Sequence, residues 1–138
     1  MHSLSPKETQ LIDIAKKTIT DRFHAKQHRL ATTILTKDGE ITTGINVEGS
    51  FGCNDVCAEQ IALGVALSKG LTNIETVVTV KHPKQGDDNQ ELRVVSPCGK
   101  CRELLNDYAP NAEVILPDEN NNLTKVMVKE LLPNRYSK

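Results

Sequence analysis

The sequence predicts an α/β fold, a three-layer α/β/α sandwich built on a mixed sheet of five strands. Three features of the chain lead to this prediction. Segments rich in Val, Ile and Thr alternate with segments whose apolar residues recur at helical spacing. One helical segment, residues 57–69, is apolar on nearly every side, as expected of a helix that lies inside a protein. The 138 residues are enough for one buried core, and we expect a single domain over residues 1–138.

Composition and charge exclude several classes of protein. A net charge of −1, with 38% hydrophobic and 25% charged residues, is typical of a globular domain. No apolar run has the length of a membrane span and no signal-peptide pattern is present, so we expect no membrane contact and a cytoplasmic location. The absence of Trp and of any basic run argues against a nucleic-acid partner. In a reducing compartment, four cysteines indicate metal binding or catalysis rather than disulfide bonds.

The first third of the chain predicts a helix and a hairpin. Ser5, Pro6 and Glu8 form the pattern of an N-cap, a first-turn proline and a capping box. Apolar residues then recur three and four positions apart, at Leu11, Ile12, Ala15, Ile19 and Phe23. Residues 30–36 and 40–48 are β-rich and flank an Asp-Gly pair, which predicts two antiparallel strands.

The rest of the chain predicts alternating helices and strands. A loop over residues 49–55 leads into the helix at 57–69, which Gly70 ends. Residues 74–80 form a continuous β-branched run, as in a central strand, and 92–95 lead into a helix at 98–108. Strands follow at 113–116 and 123–127. A last short helix ends by Leu132, because Pro133 cannot continue it.

Two cysteine clusters, each at the start of a predicted helix, indicate a metal site. Cys98 and Cys101 have the spacing that lets two thiolates reach one ion, and Cys57 supplies a third sulfur. Free N–H groups at the two helix starts favour thiolate over thiol. Cys57 and Glu59 point to opposite sides of an ideal helix, so the ion has to lie over the helix end. We therefore predict one Zn²⁺ per chain, with its fourth position open.

The arrangement Cys-Ala-Glu … Pro-Cys-x-x-Cys matches the zinc deaminase signature in its three-cysteine form. That signature predicts attack of zinc-bound hydroxide on C4 of a cytosine-type ring, with Glu59 as the proton carrier. Three thiolates leave the site with one net negative charge. Arg102 is placed to hydrogen-bond a ligand sulfur and offset this charge.

A structural zinc site is the non-catalytic alternative. Cys53 stands four residues before Cys57, so four cysteines could close a Cys₄ site in a binding or scaffold module. Such a site does not explain why a carboxylate, Glu59, stands two residues after Cys57.

The sequence resembles the small homotetrameric cytidine deaminases over nearly its whole length. The resemblance lies in Asn46-Val47-Glu48, in Ser96-Pro97-Cys98-Gly99-Lys100-Cys101-Arg102, and in Glu130-Leu131-Leu132-Pro133 followed by Tyr136. It implies a cytidine deaminase-like fold, a homotetramer and a role in pyrimidine salvage. It also implies that Asn46 and Glu48 read the ribose hydroxyls, that the backbone around Ala58 and Ser96 contacts the base, and that Tyr136 closes a neighbouring subunit's site.

Other segments are similar to the bacterial branch of this family that includes blasticidin S deaminases: Lys81-His82-Pro83, Arg93-Val94-Val95-Ser96-Pro97 and Asp107-Tyr108-Ala109-Pro110. His28 stands where many cytidine deaminases have a Phe that packs on the base, and it could still stack there. Blasticidin S bears a carboxylate, which Glu48 would repel while accepting hydroxyls. We therefore expect a cytidine or deoxycytidine substrate, with blasticidin S as the alternative.

Overall fold

The computed structural model describes residues 3–138, and its centre is a six-stranded sheet with helices on both faces. The helices are α1 (Pro6–Arg22), α2 (Ala58–Ser68) and α3 (Gly99–Tyr108). The strands are β1 (Leu30–Thr36), β2 (Ile41–Ile45), β3 (Ile74–Lys81), β4 (Arg93–Val95), β5 (Glu113–Pro117) and β6 (Leu123–Met127). Short 3₁₀ turns span Gly52–Asn54 and Val128–Leu131. Within residues 3–138, no helix combines the length and apolarity needed to cross a membrane.

The sheet is mixed, as predicted, but it has one more strand than predicted. Its order is β2-β1-β3-β5-β6, and only β3 and β5 pair in parallel. The additional strand, β4, pairs antiparallel with the last three residues of β3. Strand β4 follows a long polar loop and has only three residues, which is too few to show a β pattern in the sequence. It is a strand because it pairs with β3.

The two faces of the sheet carry separate apolar clusters, which confirms the three-layer arrangement. Helix α1 packs against β1 and β3 on one face. Its cluster contains Leu11, Ile12, Ala15, Ile19, Ala31, Leu35, Val78, Val80, Val94 and Ile115. Helices α2 and α3 share the other face with a cluster of Ile34, Ala62, Leu63, Ile74, Val77, Leu105, Ala109, Ala112, Val114, Leu116 and Val128.

The predicted start of α1 is confirmed. The Ser5 hydroxyl accepts from the Glu8 backbone N–H at 3.2 Å, and the Glu8 carboxylate accepts from the Ser5 N–H at 2.7 Å. The same carboxylate pairs with Lys125 of β6 at 2.9 Å. The capping box therefore also ties the helix to the sheet.

The predicted hairpin is confirmed at its turn, where Gly39 has a φ of +89°, and corrected at its end. We predicted a second strand over residues 40–48, but β2 stops at Ile45. The reason is Asn46, whose Oδ1 accepts from the backbone N–H groups of Arg29 and Leu30 at 2.6 and 2.9 Å. The Asn46 side chain thus makes hydrogen bonds in place of the backbone hydrogen bonds that would continue the pairing of the two strands.

The helices that carry the cysteines begin one residue later than predicted. Cys57 and Cys98 are the N-caps of α2 and α3, with extended backbones. Helix α2 lies very close to β2, because a Cβ built on Gly44 would stand 2.8 Å from the Cα of Ala62. The last predicted helix is a 3₁₀ turn that ends at Leu131, before Pro133.

Candidate active site

Three cysteine sulfurs meet between the N-terminal ends of α2 and α3. The Sγ of Cys57 lies 3.8 Å from that of Cys98, which lies 3.6 Å from that of Cys101. All three sulfurs lie within 4.8 Å of one another. Among the described residues, 3–138, Cys53 does not belong to this cluster. Tetrahedral zinc with bonds of about 2.3 Å requires sulfurs about 3.8 Å apart. The donor set therefore fits zinc with one position left for another ligand.

The local sequence explains why these sulfurs converge. As N-caps, Cys57 and Cys98 precede the first helical turn, so their side chains lie at the helix ends. The Cys57 backbone N–H donates to Gln60 Oε1 at 3.0 Å, which fixes the cap. Cys101 lies in the first turn of α3 and is fully buried. An ion held by these sulfurs would lie over the helix ends, as the spacing of Cys57 and Glu59 requires.

The thiols differ in how readily they ionise. Burial raises the pKa of Cys101, and the nearby Glu59 carboxylate adds to this. Burial also raises the pKa of Cys57. At Cys98 burial acts in the same direction, but hydrogen bonds from the backbone and thiol of Cys101 outweigh it and lower the pKa. Zinc binding would therefore displace protons from this cluster.

Glu59 lies beside the sulfurs in the first turn of α2 and is only 6% exposed. Burial raises the pKa of its carboxyl, and side-chain hydrogen bonds from Thr32 and Thr79 partly oppose the rise. A carboxyl group held away from water, with its pKa moved towards neutrality, suits a group that accepts and returns protons.

A cavity of about 240 Å³ opens over Glu59, Cys57 and Cys98. Seven residues predicted from the sequence line it: Asn46, Glu48, Cys57, Ala58, Glu59, Ser96 and Cys98. Four others that line it were not predicted: Leu30, Asp55, Val56 and Val95. Three of these four are apolar, and two of them, Val56 and Val95, adjoin predicted residues along the chain, a position that carries no chemical signal of its own.

Asn46 and Glu48 form one network with Arg29 in the cavity wall. The Asn46 amide donates to Glu48 Oε1 at 3.3 Å. The same oxygen accepts from Arg29 Nε at 2.9 Å and from its terminal nitrogen at 2.7 Å. Since Asn46 Oδ1 is already bound to backbone N–H groups, the side chain is fixed before any ligand arrives.

The predicted hydrogen bond from Arg102 to a ligand sulfur is not among those that its guanidinium makes in the structure. The guanidinium donates instead to the Pro97 carbonyl at 2.9 Å, to Ser96 Oγ at 2.8 Å and to the Leu131 carbonyl at 3.4 Å. Carbonyl and hydroxyl oxygens are stronger acceptors than sulfur, and they lie within reach of this side chain. Arg102 therefore orders the segment before Cys98 and joins it to the C-terminal 3₁₀ turn.

His28 and Tyr136 do not line the cavity. The Nδ1 of His28 donates to the Asn46 carbonyl at 2.9 Å, so the ring is held beside the cavity wall. Tyr136 is 84% exposed near the C-terminal end.

Comparison with known proteins identifies the family of this chain. A family model described as the cytidine and deoxycytidylate deaminase zinc-binding region matches residues 5–116. The chain is 38% identical to a blasticidin-S deaminase of Bacillus cereus, over 99% of this chain and 96% of that protein. It is 31% identical to a cytidine deaminase of Halalkalibacterium halodurans, over 79% of this chain and 77% of that protein.

Solved structures show the same fold. The cytidine deaminase of Bacillus anthracis superposes with a TM-score of 0.77 at 23% identity, covering 93% of this chain and 88% of that one. That of Burkholderia pseudomallei superposes with a TM-score of 0.73 at 24% identity, covering 96% and 100%. The match over residues 5–116 and the full-length relative at 38% identity establish that the chain belongs to the cytidine and deoxycytidylate deaminase family of zinc-dependent hydrolases.

Proposed function

We propose that the protein removes the amino group of a cytosine nucleoside, converting cytidine or deoxycytidine to uridine or deoxyuridine. One observation carries the proposal. A buried carboxyl group, Glu59, and two sulfurs of the three-cysteine cluster line the same cavity as the polar pair Asn46 and Glu48. Glu59 and the zinc site provide the groups needed for hydrolysis, and Asn46 and Glu48 provide the groups that recognise hydroxyls.

The site residues divide the reaction between them. When bound, zinc lowers the pKa of a water molecule so that it can act as a nucleophile near neutral pH. Glu59 would accept one proton from the water that attacks C4 and return it to N3, and would then take the second proton from the resulting C4 hydroxyl and pass it to the departing amine. The C4–N bond breaks, a C4–O bond remains, and ammonia leaves. We assign base contacts to the backbone at Ala58 and Ser96, whereas the ring of His28 lies outside the cavity lining. Asn46 and Glu48 are assigned to the sugar hydroxyls.

Blasticidin S is the alternative substrate, and a specific observation favours it. From the sequence, the charge of Glu48 argues against a ligand that bears a carboxylate. In the structure Arg29 pairs with Glu48 at 2.7 Å, so that charge is balanced before a ligand binds. The 38% identity with a blasticidin-S deaminase over nearly the whole chain supports the same alternative.

We further propose that the chain acts as a single domain in a homotetramer, in the cytoplasm, and serves pyrimidine salvage. The exposed Tyr136 near the end of the chain supports the assembly, since an aromatic side chain that is 84% exposed is suited to packing on another subunit. The fold, shared with bacterial cytidine deaminases, supports the cellular role.

The substrate is tested with the zinc-loaded protein and three separate compounds. The ultraviolet absorbance change is followed after addition of cytidine, deoxycytidine or blasticidin S. Turnover of cytidine or deoxycytidine with a higher kcat/KM than blasticidin S supports the main proposal. The reverse order supports the alternative. One zinc per chain without turnover of any of the three would refute both.

A further inference from the structure

Two threonine hydroxyls lie beneath Glu59 in the middle of the sheet. Thr32 of β1 and Thr79 of β3 are register partners, and their Oγ1 atoms are 2.6 Å apart. Thr32 is 0% exposed and Thr79 is 2% exposed. The Thr32 hydroxyl also donates to Oε1 of Glu59 at 3.5 Å. These side chains join the central strands to the carboxyl group of the candidate site.

Counting protons shows what the pair can do. Two hydroxyls carry two protons, and one of these lies between the two oxygens. If Thr79 donates to Thr32, then the Thr32 proton is free for Glu59. If Thr32 donates to Thr79, the Thr79 proton is the free one. The 3.5 Å contact between the Thr32 hydroxyl and Glu59 favours the first arrangement, in which the pair presents the Thr32 proton to Glu59.

The neighbouring threonine has a different partner. Thr33 is also 0% exposed, but its hydroxyl donates to the Leu11 carbonyl of α1 at 2.9 Å, on the opposite face of the sheet. Adjacent strand residues point to opposite faces, so the two threonines serve different layers. A buried hydroxyl at position 32 is therefore not explained by the needs of α1.

We propose that Thr32, supported by Thr79, is a positioning residue that holds Oε1 of Glu59 towards the sheet and leaves the other carboxylate oxygen to face the cavity. The need for such a tether follows from the chemistry of the site. Carboxylates are good zinc ligands, and the cluster of Cys57, Cys98 and Cys101 leaves one position open beside Glu59. A carboxylate bound to the ion could not carry protons. This role rests on the deaminase function proposed above.

The test compares Thr32→Val, which keeps the shape of the side chain but removes the hydroxyl, with Thr32→Ser, which restores a hydroxyl. Thr33→Val is the matched control, since it removes an equally buried hydroxyl from the same strand. We expect Thr32→Val to lower kcat about tenfold, the effect of one hydrogen bond to a charged group, and to change KM less than about twofold. Thr32→Ser should recover kcat to within about threefold of the original.

A second readout does not depend on turnover. The proteins are loaded with Co²⁺ in place of Zn²⁺, and the visible spectrum reports the ligands of the ion. We expect the spectrum of Thr32→Val to differ from that of the original protein, because Glu59 is no longer held away. The spectrum of Thr33→Val should be unchanged.

Three results would overturn the proposal: a kcat for Thr32→Val within twofold of the original, an equal loss in Thr33→Val, or a rise in KM with kcat unchanged. If Thr32→Val does not fold, Thr32→Ala gives the same comparison, since it also removes the hydroxyl that contacts Glu59, and an unchanged kcat there would also overturn it. Absence of turnover in the original protein would instead refute the function itself, whereas a changed Co²⁺ spectrum for Thr32→Val alone would still support the tether.

Discussion

Arg29 donates two hydrogen bonds, at 2.9 and 2.7 Å, to a single oxygen of Glu48, a residue that lines the candidate cavity. The two side chains are 28% and 20% exposed, so the pair is partly shielded from solvent. Glu48 therefore meets a ligand as half of an ion pair. The negative charge of Glu48 is therefore no longer an argument against a substrate that bears a carboxylate.

The first prediction concerns this ion pair. Arg29→Gln should leave Glu48 with an unbalanced negative charge, which repels an anionic ligand more than a neutral one. We expect the affinity for blasticidin S to fall about tenfold and kcat/KM for cytidine to change less than about threefold. Inhibition of cytidine turnover by blasticidin S measures the first quantity. Equal losses for both compounds would show that Arg29 does not discriminate by charge.

The second prediction concerns the close contact between β2 and α2. Gly44→Ala places a methyl group against the backbone of Ala62, which cannot move without shifting the helix that carries Glu59. We expect the free energy of unfolding to fall by about 2 kcal/mol. Gly64→Ala is the control, because a Cβ there meets nothing within 4 Å. It should raise the free energy of unfolding by about 0.5 to 1 kcal/mol, as expected for Ala in a helix. Equal effects, measured by urea titration, would contradict this account.

The third prediction is a pH dependence of stability from Glu8. Burial raises the pKa of this carboxyl, but hydrogen bonds from Ser5 and Lys125 outweigh it, and the net pKa is below its ordinary value of 4.5. The carboxylate therefore stabilises the fold fully above the unfolded pKa, and this contribution is lost as the pH falls through the folded pKa. Glu8→Gln should cost about 1 kcal/mol at pH 7 and much less at pH 3.

The control for Glu8 is Glu119→Gln, at an exposed carboxylate in the turn between β5 and β6. Its effect on the free energy of unfolding should be near zero at both pH values. A cost of Glu8→Gln that stays constant from pH 7 to pH 3 would contradict the assignment.

The fourth prediction separates an open zinc site from a closed one. Cys101→Ser removes the buried sulfur, and we expect zinc content to fall from one per chain towards zero. Cys53→Ser should keep one zinc per chain, because Cys53 is exposed and outside the sulfur cluster. Metal analysis after dialysis measures both. Loss of zinc in Cys53→Ser would favour the structural Cys₄ site.

Much of the fold could be predicted from local sequence. The capping box at Ser5, the turn at Gly39 and the apolar helix α2 depend on residues close together in the chain, and all three are present. The sixth strand could not be predicted in this way, since three residues become a strand only by pairing with β3. Long-range pairing of this kind leaves no local pattern.

The site was predictable to the extent that its chemistry is carried by residue type. Cysteine spacing indicated the metal cluster, and the structure brings those sulfurs together. The oxygen acceptors of Arg102, including the Leu131 carbonyl, were not predictable, because they become neighbours only through the fold. Thr32 and Thr79 were missed for a similar reason. Threonine is common in strands, and only the register of β1 and β3 places their hydroxyls together beneath Glu59.

The central claim is that Glu59 performs chemistry beside a zinc ion that it does not bind. The most direct measurement is zinc content and cytidine turnover of Glu59→Ala, compared with the original protein. We predict one zinc per chain in both, and loss of turnover in the variant by at least about a thousandfold, because a buried proton carrier has no substitute in the cavity. A variant that loses its zinc, or that keeps full activity, would contradict this claim.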